Sequence, residues 1–200
     1  MQDIPTSIEI EEIENHEDII DLCYEIFKDC VLSKKNRPKL FEFEVIVPVE
    51  PWIEYKAQAF WHIVSLSEKD KSAILPCIND PSISKCDENC INHKYTVRLS
   101  NGESRDVCYY RATKAYWIQS IIRLANANDK NLKYWYKKDN KKKRRELYLR
   151  YQNKHIDYVV VLEDKNSKKF VLITAYPVFY TNSKKGFDKD YQSYLKENQK

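Results

Sequence analysis

Apolar side chains recur at helical spacing early in the chain. Ile19, Cys23, Ile26, Phe27 and Cys30 fall along one side of "ENHEDIIDLCYEIFKDCVL", which predicts an amphipathic helix with Asn15 just ahead of it as an N-cap. The spacing then shortens. In "KLFEFEVIV" Phe41, Phe43, Val45 and Val47 alternate with Leu40, Glu42, Glu44 and Ile46, the period of a half-buried strand. "FWHIVSL", residues 60 to 66, reads as another strand, with His62 on the face of Phe60, Val64 and Leu66 and with Trp61 and Ile63 on the other.

The clearest helical period lies in "RATKAYWIQSIIRLANA", where Arg111, Ala115, Ile118 and Ile122 share a side and the guanidinium projects from the start of the buried face. From residue 143 the period drops to two. "RRELYLRY", "IDYVVVLE" and "KFVLITAY" are β-prone runs separated by "QNKH" and "DKNSKK", the pattern of an antiparallel meander. On the last of them Phe170, Leu172, Thr174 and Tyr176 are expected on one face, and Pro177 ends the strand. The polar tail from about 182 is expected to end in a short helix around "DYQSYLKE" or to fray. These elements predict an α+β fold, a curved antiparallel sheet packed against helices. The expected division is an acidic extension over 1–54, a core domain over 55–195 with an insertion at 70–108, and a tail at 196–200.

Composition narrows the function classes. Two glycines in 200 residues argue against glycine-rich phosphate loops and dinucleotide folds. The first twenty residues have neither a basic start nor a long apolar run, so no secretion signal or membrane span is expected, and a soluble cytoplasmic protein is. The net charge of +4 conceals an asymmetry: residues 1–54 carry −9, and residues 130–154 carry +9. A basic block of that size can neutralise a polyanion and release its counterions, although solvated faces give the same pattern. Within it Trp135 lies between Tyr134 and Tyr136, a candidate for base stacking beside Lys141, Lys142, Lys143, Arg144 and Arg145.

Six cysteines without an export signal read as thiols or metal ligands rather than as a disulfide framework. Cys77, Cys86, Cys90 and His93 have the spacing C-x8-C-x3-C-x2-H, suited to a closed tetrahedral structural zinc site; unpaired thiols are the alternative, and Cys108 is a possible substitute ligand. Such a site leaves no open coordination position for catalysis. Cys23 and Cys30 lie on an apolar helix face as packing residues.

The order "FWHIVSL", "RATKAYWIQSII", "YW", "RRELYLRY", "DYVVVL", "LITAYPV" resembles a group of phage- and plasmid-associated proteins. They are placed in the barnase, EndoU, colicin and RelE-like superfamily of metal-independent ribonucleases and toxins. The resemblance covers residues 60 to about 195, and its most specific parts are FWH, the R-x-x-K-x-x-W-I helix and TAYPV. The family pattern has a basic residue where Lys114 stands and aromatic residues where Trp117 and Trp135 stand. The cysteine-rich insertion and the N-terminal extension depart from the shorter members. The resemblance implies a small α+β core and RNA cleavage that needs no metal.

Such cleavage requires a base for the 2′-OH, an acid for the leaving 5′ oxygen, and cations for the charge at phosphorus. His62 is the candidate acid or base, and Arg111 and Lys114 are candidates to clamp the phosphate. Thr174 and Tyr176 can donate hydrogen bonds, and Arg145 is a further phosphate contact. No carboxylate stands out as general base. Each residue has a plainer role open to it, His62 as a core histidine and Tyr176 as a core aromatic. The leading expectation is a metal-independent endoribonuclease, with RNA and an acidic inhibitor as partners. A non-catalytic nucleic-acid-binding or phage accessory protein and a zinc-stabilised interaction module are the alternatives.

Overall fold

The computed structural model describes residues 4–10, 13, 15–67, 95–139, 143–153, 156–165, 168–179 and 181–198. In chain order the elements are α1 (His16–Phe27), running on through a π-helical turn (Lys28–Leu32), β1 (Lys39–Leu40), β2 (Phe43–Ile46), β3 (Trp52–Ile53), β4 (Lys56–Ala57), α2 (Gln58–Val64) and β5 (Ser65–Ser67). There follow β6 (Thr96–Arg98), β7 (Ser104–Val107), α3 (Tyr109–Ala112), α4 (Trp117–Asn126), β8 (Leu132–Asp139), β9 (Arg144–Asn153), β10 (Ile156–Asp164), β11 (Phe170–Pro177) and α5 (Thr181–Asn198). The fold is mixed α+β. Its two compact units are Met1–Ile4, Arg37–Val47 and Ile118–Lys200 in one, and Pro5–Asn36 and Pro48–Trp117 in the other.

The first unit is built on a six-stranded sheet of order β1-β2-β11-β10-β9-β8. The three β-prone runs from 143 onward form the expected antiparallel meander, and β8 adds a fourth strand to it. Only β2 joins in parallel, through Phe170↔Val45 and Val171↔Ile46. "KLFEFEVIV" is not the single strand that its alternation predicts. It is a tight hairpin, with Leu40 opposite Phe43 and with Phe41 and Glu42 both left-handed, at φ 49° and 70°. That geometry suits a two-residue hairpin turn but strains residues with a Cβ. Asn126 offsets the strain from the end of α4: its Oδ1 accepts from the Phe41 amide at 2.8 Å and its Nδ2 donates to the Lys39 carbonyl at 2.7 Å.

A β-bulge decides which way β11 presents its side chains. Val161 pairs with Thr174, yet the next residue, Leu162, pairs with Leu172, so Ile173 is an extra residue in the ladder. One inserted residue exchanges the faces on either side of it. Leu172 therefore lies in a row with Leu162 and Leu147, whereas Thr174 lies in a row with Val161 and Tyr148 on the opposite face. The expectation that Phe170, Leu172, Thr174 and Tyr176 share one face is corrected: the bulge divides them in pairs.

The Tyr148 face is covered by α5, which is far longer than the short helix expected. Phe187 and Tyr176 pack with Tyr148 and Ile173 on Val159, Val161 and Val178. Arg150, 1% exposed, anchors the helix to the sheet. Its guanidinium holds the Asp157 carboxylate at 2.8 and 2.7 Å and reaches Asp188 of α5 at 3.0 Å.

In the second unit Asn15 caps α1 as expected, its Oδ1 accepting from the Glu17 amide at 3.0 Å. Ile19, Ile20, Cys23, Tyr24 and Phe27 form the buried side of α1. Tyr24 and Phe27 meet Phe60 at ring-centroid distances of 5.0 and 5.4 Å. The strand expected at 60–66 is mostly helix. Ala57, Phe60, Trp61 and Val64 are buried at i, i+3, i+4 and i+7, the stripe of one helical face, and only residues from Ser65 onward pair as β5 with β7. The helix expected over 111–127 is likewise two helices with a turn between. There the Lys114, Ala115 and Trp117 amides donate three residues back rather than four, and the Thr113 hydroxyl donates to the Tyr110 carbonyl.

Candidate nucleic-acid interface

The hairpin end of β8 and β9 carries most of the basic block in an order set by register. Lys137 stands opposite Glu146, Lys138 opposite Arg145, and Asp139 opposite Arg144. Two of these pairs join opposite charges, which favour each other across a ladder. The middle pair joins two cations, which do not. On β10, Asp164 stands opposite Arg145 and holds its Nη1 at 3.3 Å. The row across three strands thus runs Lys138, Arg145, Asp164. Lys138, at its outer end, makes no ion pair among the described residues.

Beside this row lies an open groove of about 550 Å³, between the hairpin end and the C-terminal half of α5. Tyr136, Lys138 and Arg145 line it from the sheet, and Asp190, Tyr194 and Glu197 line it from the helix. The Arg145 guanidinium lies 3.8 Å from the centre of the Tyr136 ring, its diagonal neighbour on the same face. Tyr136 meets Tyr194 at 6.3 Å. Burial first, then the Asp164 carboxylate, raises the pKa of the Tyr136 hydroxyl against the pull of Arg145, so this phenol is neutral at physiological pH.

Several of the expected nucleic-acid contacts are occupied. Trp135 is 1% exposed, with Tyr148 stacked on it at 5.3 Å and Phe187 and Tyr191 of α5 at 5.8 and 6.0 Å. Its faces are committed to packing, and the tyrosine next to it is the ring that lines the groove with a cation over it. Arg144 gives its Nε and Nη2 to Glu146 at 2.7 and 2.6 Å. Lys137 pairs with Asp190 at 2.7 Å. Lys143 is exposed, and Lys141 and Lys142 lie outside the described residues. Lys138, Tyr194 and Asp164 are not among the residues that the sequence singles out, and Tyr136 enters there only as a neighbour of Trp135. A like-charge pair opposite an acidic residue becomes visible only once the strand register is known.

The residues proposed for RNA cleavage are divided between the units. His62, Arg111 and Lys114 belong to one, and Thr174 and Tyr176 to the other. His62 is exposed on α2, so neither the strand placement nor a core role describes it. Arg111 is half-buried and its Nη1 donates to the Ser65 carbonyl at 3.5 Å. The same Ser65 receives Arg105, through Nε to Oγ at 3.0 Å and Nη2 to the carbonyl at 3.0 Å. Lys114 is buried, with its ammonium 3.4 Å from the centre of the Tyr110 ring and 5.6 Å from that of Trp117. That position leaves little of Lys114 for a phosphate. Thr174 is half-buried, and Tyr176 packs in the apolar cluster beneath α5.

The suggested zinc ligands Cys77, Cys86, Cys90 and His93 lie outside the described residues. Among the described residues no group of three or more His, Cys, Asp or Glu is placed to hold a metal ion, and no helix is long and apolar enough to cross a membrane. No family model, curated protein or solved structure matches this chain.

Proposed function

We propose that the protein binds nucleic acid, RNA in the first place, through the hairpin end of β8 and β9. The observation that carries this reading is the cross-strand pair Lys138 and Arg145 at the mouth of the groove. Two cations held opposite each other cost stability in the free protein, and a bound phosphate relieves that cost. Backbone contacts of this kind give affinity without sequence choice. The test is a binding titration with labelled RNA, comparing the natural chain with Lys138→Glu/Lys143→Glu. Retention of a folded thermal transition with at least tenfold weaker binding is the expected outcome; unchanged affinity contradicts it.

RNA cleavage remains a second reading on one observation, the exposed imidazole of His62 within three residues of the Ser65 carbonyl that Arg111 reaches. A histidine side chain that reaches a bound strand can act on it as acid or base. Incubation with total RNA in EDTA tests it. Cleavage lost in both His62→Ala and Arg111→Ala supports this reading, and cleavage unchanged in both removes these residues from the chemistry.

A further inference from the structure

Resting on the nucleic-acid reading above, we infer that the groove is a subsite for one unstacked base of a single strand, in which Arg145 is the stacking platform and Lys138 the phosphate contact. Arg145 was expected to be a phosphate clamp, and its surroundings argue for a different use. A bidentate clamp needs the N–H edge of the guanidinium free and its charge unspent. Here Asp164 takes one terminal nitrogen at 3.3 Å from a side chain that is itself 2% exposed. The Tyr136 ring centre lies 3.8 Å from the guanidinium carbon.

These two neighbours fix the guanidinium in orientation and leave the side chain 49% exposed on the groove side. A flat cationic surface, held in place and open to solvent, is what a nucleobase stacks on. Tyr194, on the helix side of the groove, adds a second aromatic wall. Lys138 lies directly across the ladder from the platform on a flexible stem, so a phosphate adjoining the stacked base falls within its reach. A base paired inside a duplex has no free π-face to offer. The arrangement therefore selects single strands over duplexes, which a merely basic surface does not.

The experiment compares an unstructured single-stranded RNA oligonucleotide with a blunt RNA duplex of the same length, by fluorescence anisotropy on the full chain. Three chains are titrated: natural, Arg145→Lys and Lys138→Gln. The single strand is expected to bind about tenfold tighter or more, and Arg145→Lys, which keeps the charge and removes the plane, to weaken it by about 5- to 30-fold with little change for the duplex. Lys138→Gln is expected to weaken both ligands and to lower the salt slope by about one. Equal affinity for single strand and duplex overturns the subsite while leaving nucleic-acid binding standing, as does an Arg145→Lys chain that binds the single strand normally. Equally tight binding of poly-glutamate reduces the surface to a site for any polyanion and also overturns it. No binding of either RNA sinks the subsite and the parent reading together.

Discussion

At Arg145 one side chain meets an acid and an aromatic ring. Asp164 takes up part of its charge, while the Tyr136 ring centre lies 3.8 Å from the guanidinium carbon and the side chain stays half-exposed. The neighbouring Arg144 has given two nitrogens to Glu146, so an approaching phosphate meets Lys138 and Lys143 before it meets either arginine. Other single residues carry stability rather than binding. Asn126 closes the strained β1–β2 turn with two hydrogen bonds. Asn126→Ala is expected to cost about 1–2 kcal/mol in a denaturant titration, with RNA affinity unchanged. Cys23 behaves differently, because burial, slightly countered by Lys114, pushes its thiol up from 9.0 to about 12. A folded-state pKa above the unfolded one gives stability that is complete below pH 9 and is lost as pH rises toward 12. Alkaline unfolding curves are therefore expected to fall less steeply for Cys23→Ser than for the natural chain over that range, and superimposable slopes count against it.

Among the elements, α5 depends on a buried charge. Arg150 joins Asp157 of the sheet to Asp188 of the helix, and burial makes the loss of one partner costly. Arg150→Leu leaves Asp157 without its cation, so a loss of about 3–5 kcal/mol is expected in thermal or chemical unfolding. The groove is lined from α5, so the same variant is expected to bind RNA less well as the helix loosens. The sequence disclosed these elements unevenly. The α1 helix was legible from its single apolar face and the Asn15 cap ahead of it, and the β9–β10–β11 meander from β-prone runs, apolar on both faces in β10, set off by polar turns. Residues 58–64 were not, since Phe60, Trp61, Ile63 and Val64 are apolar on both alternating faces and a seven-residue window fits either period. In 39–47 the alternation was real, but it passed through a turn made without glycine. On β11 the period was read correctly up to Leu172, and a bulge that no local residue announces moved Thr174 and Tyr176 to the other face. Of the proposed interface, Lys143 and Arg145 are named from the sequence and Lys138 only as part of the basic block, whereas the Tyr136 ring and the Asp164 carboxylate beside Arg145 needed the register.

For the molecule as a whole, the charge asymmetry overstates the proposed binding surface. The block at 130–154 carries +9, yet Lys137, Arg144 and Arg150 are held by carboxylates, and Lys133 donates to Gln152 and lies over Tyr191. Among the described residues, what is left to meet phosphates is Lys138, Lys143 and part of Arg145; the sequence adds Lys141 and Lys142 next to Lys143. Net charge alone does not distinguish a surface of about ten phosphate contacts from one of three to five, but ionic strength does. The most direct measurement is the affinity for single-stranded RNA as a function of salt. With three to five contacts, log K against log salt is predicted to fall with a slope of about −2 to −3.5. Binding that is indifferent to salt, or absent at low salt, contradicts a phosphate-neutralising interface at this hairpin.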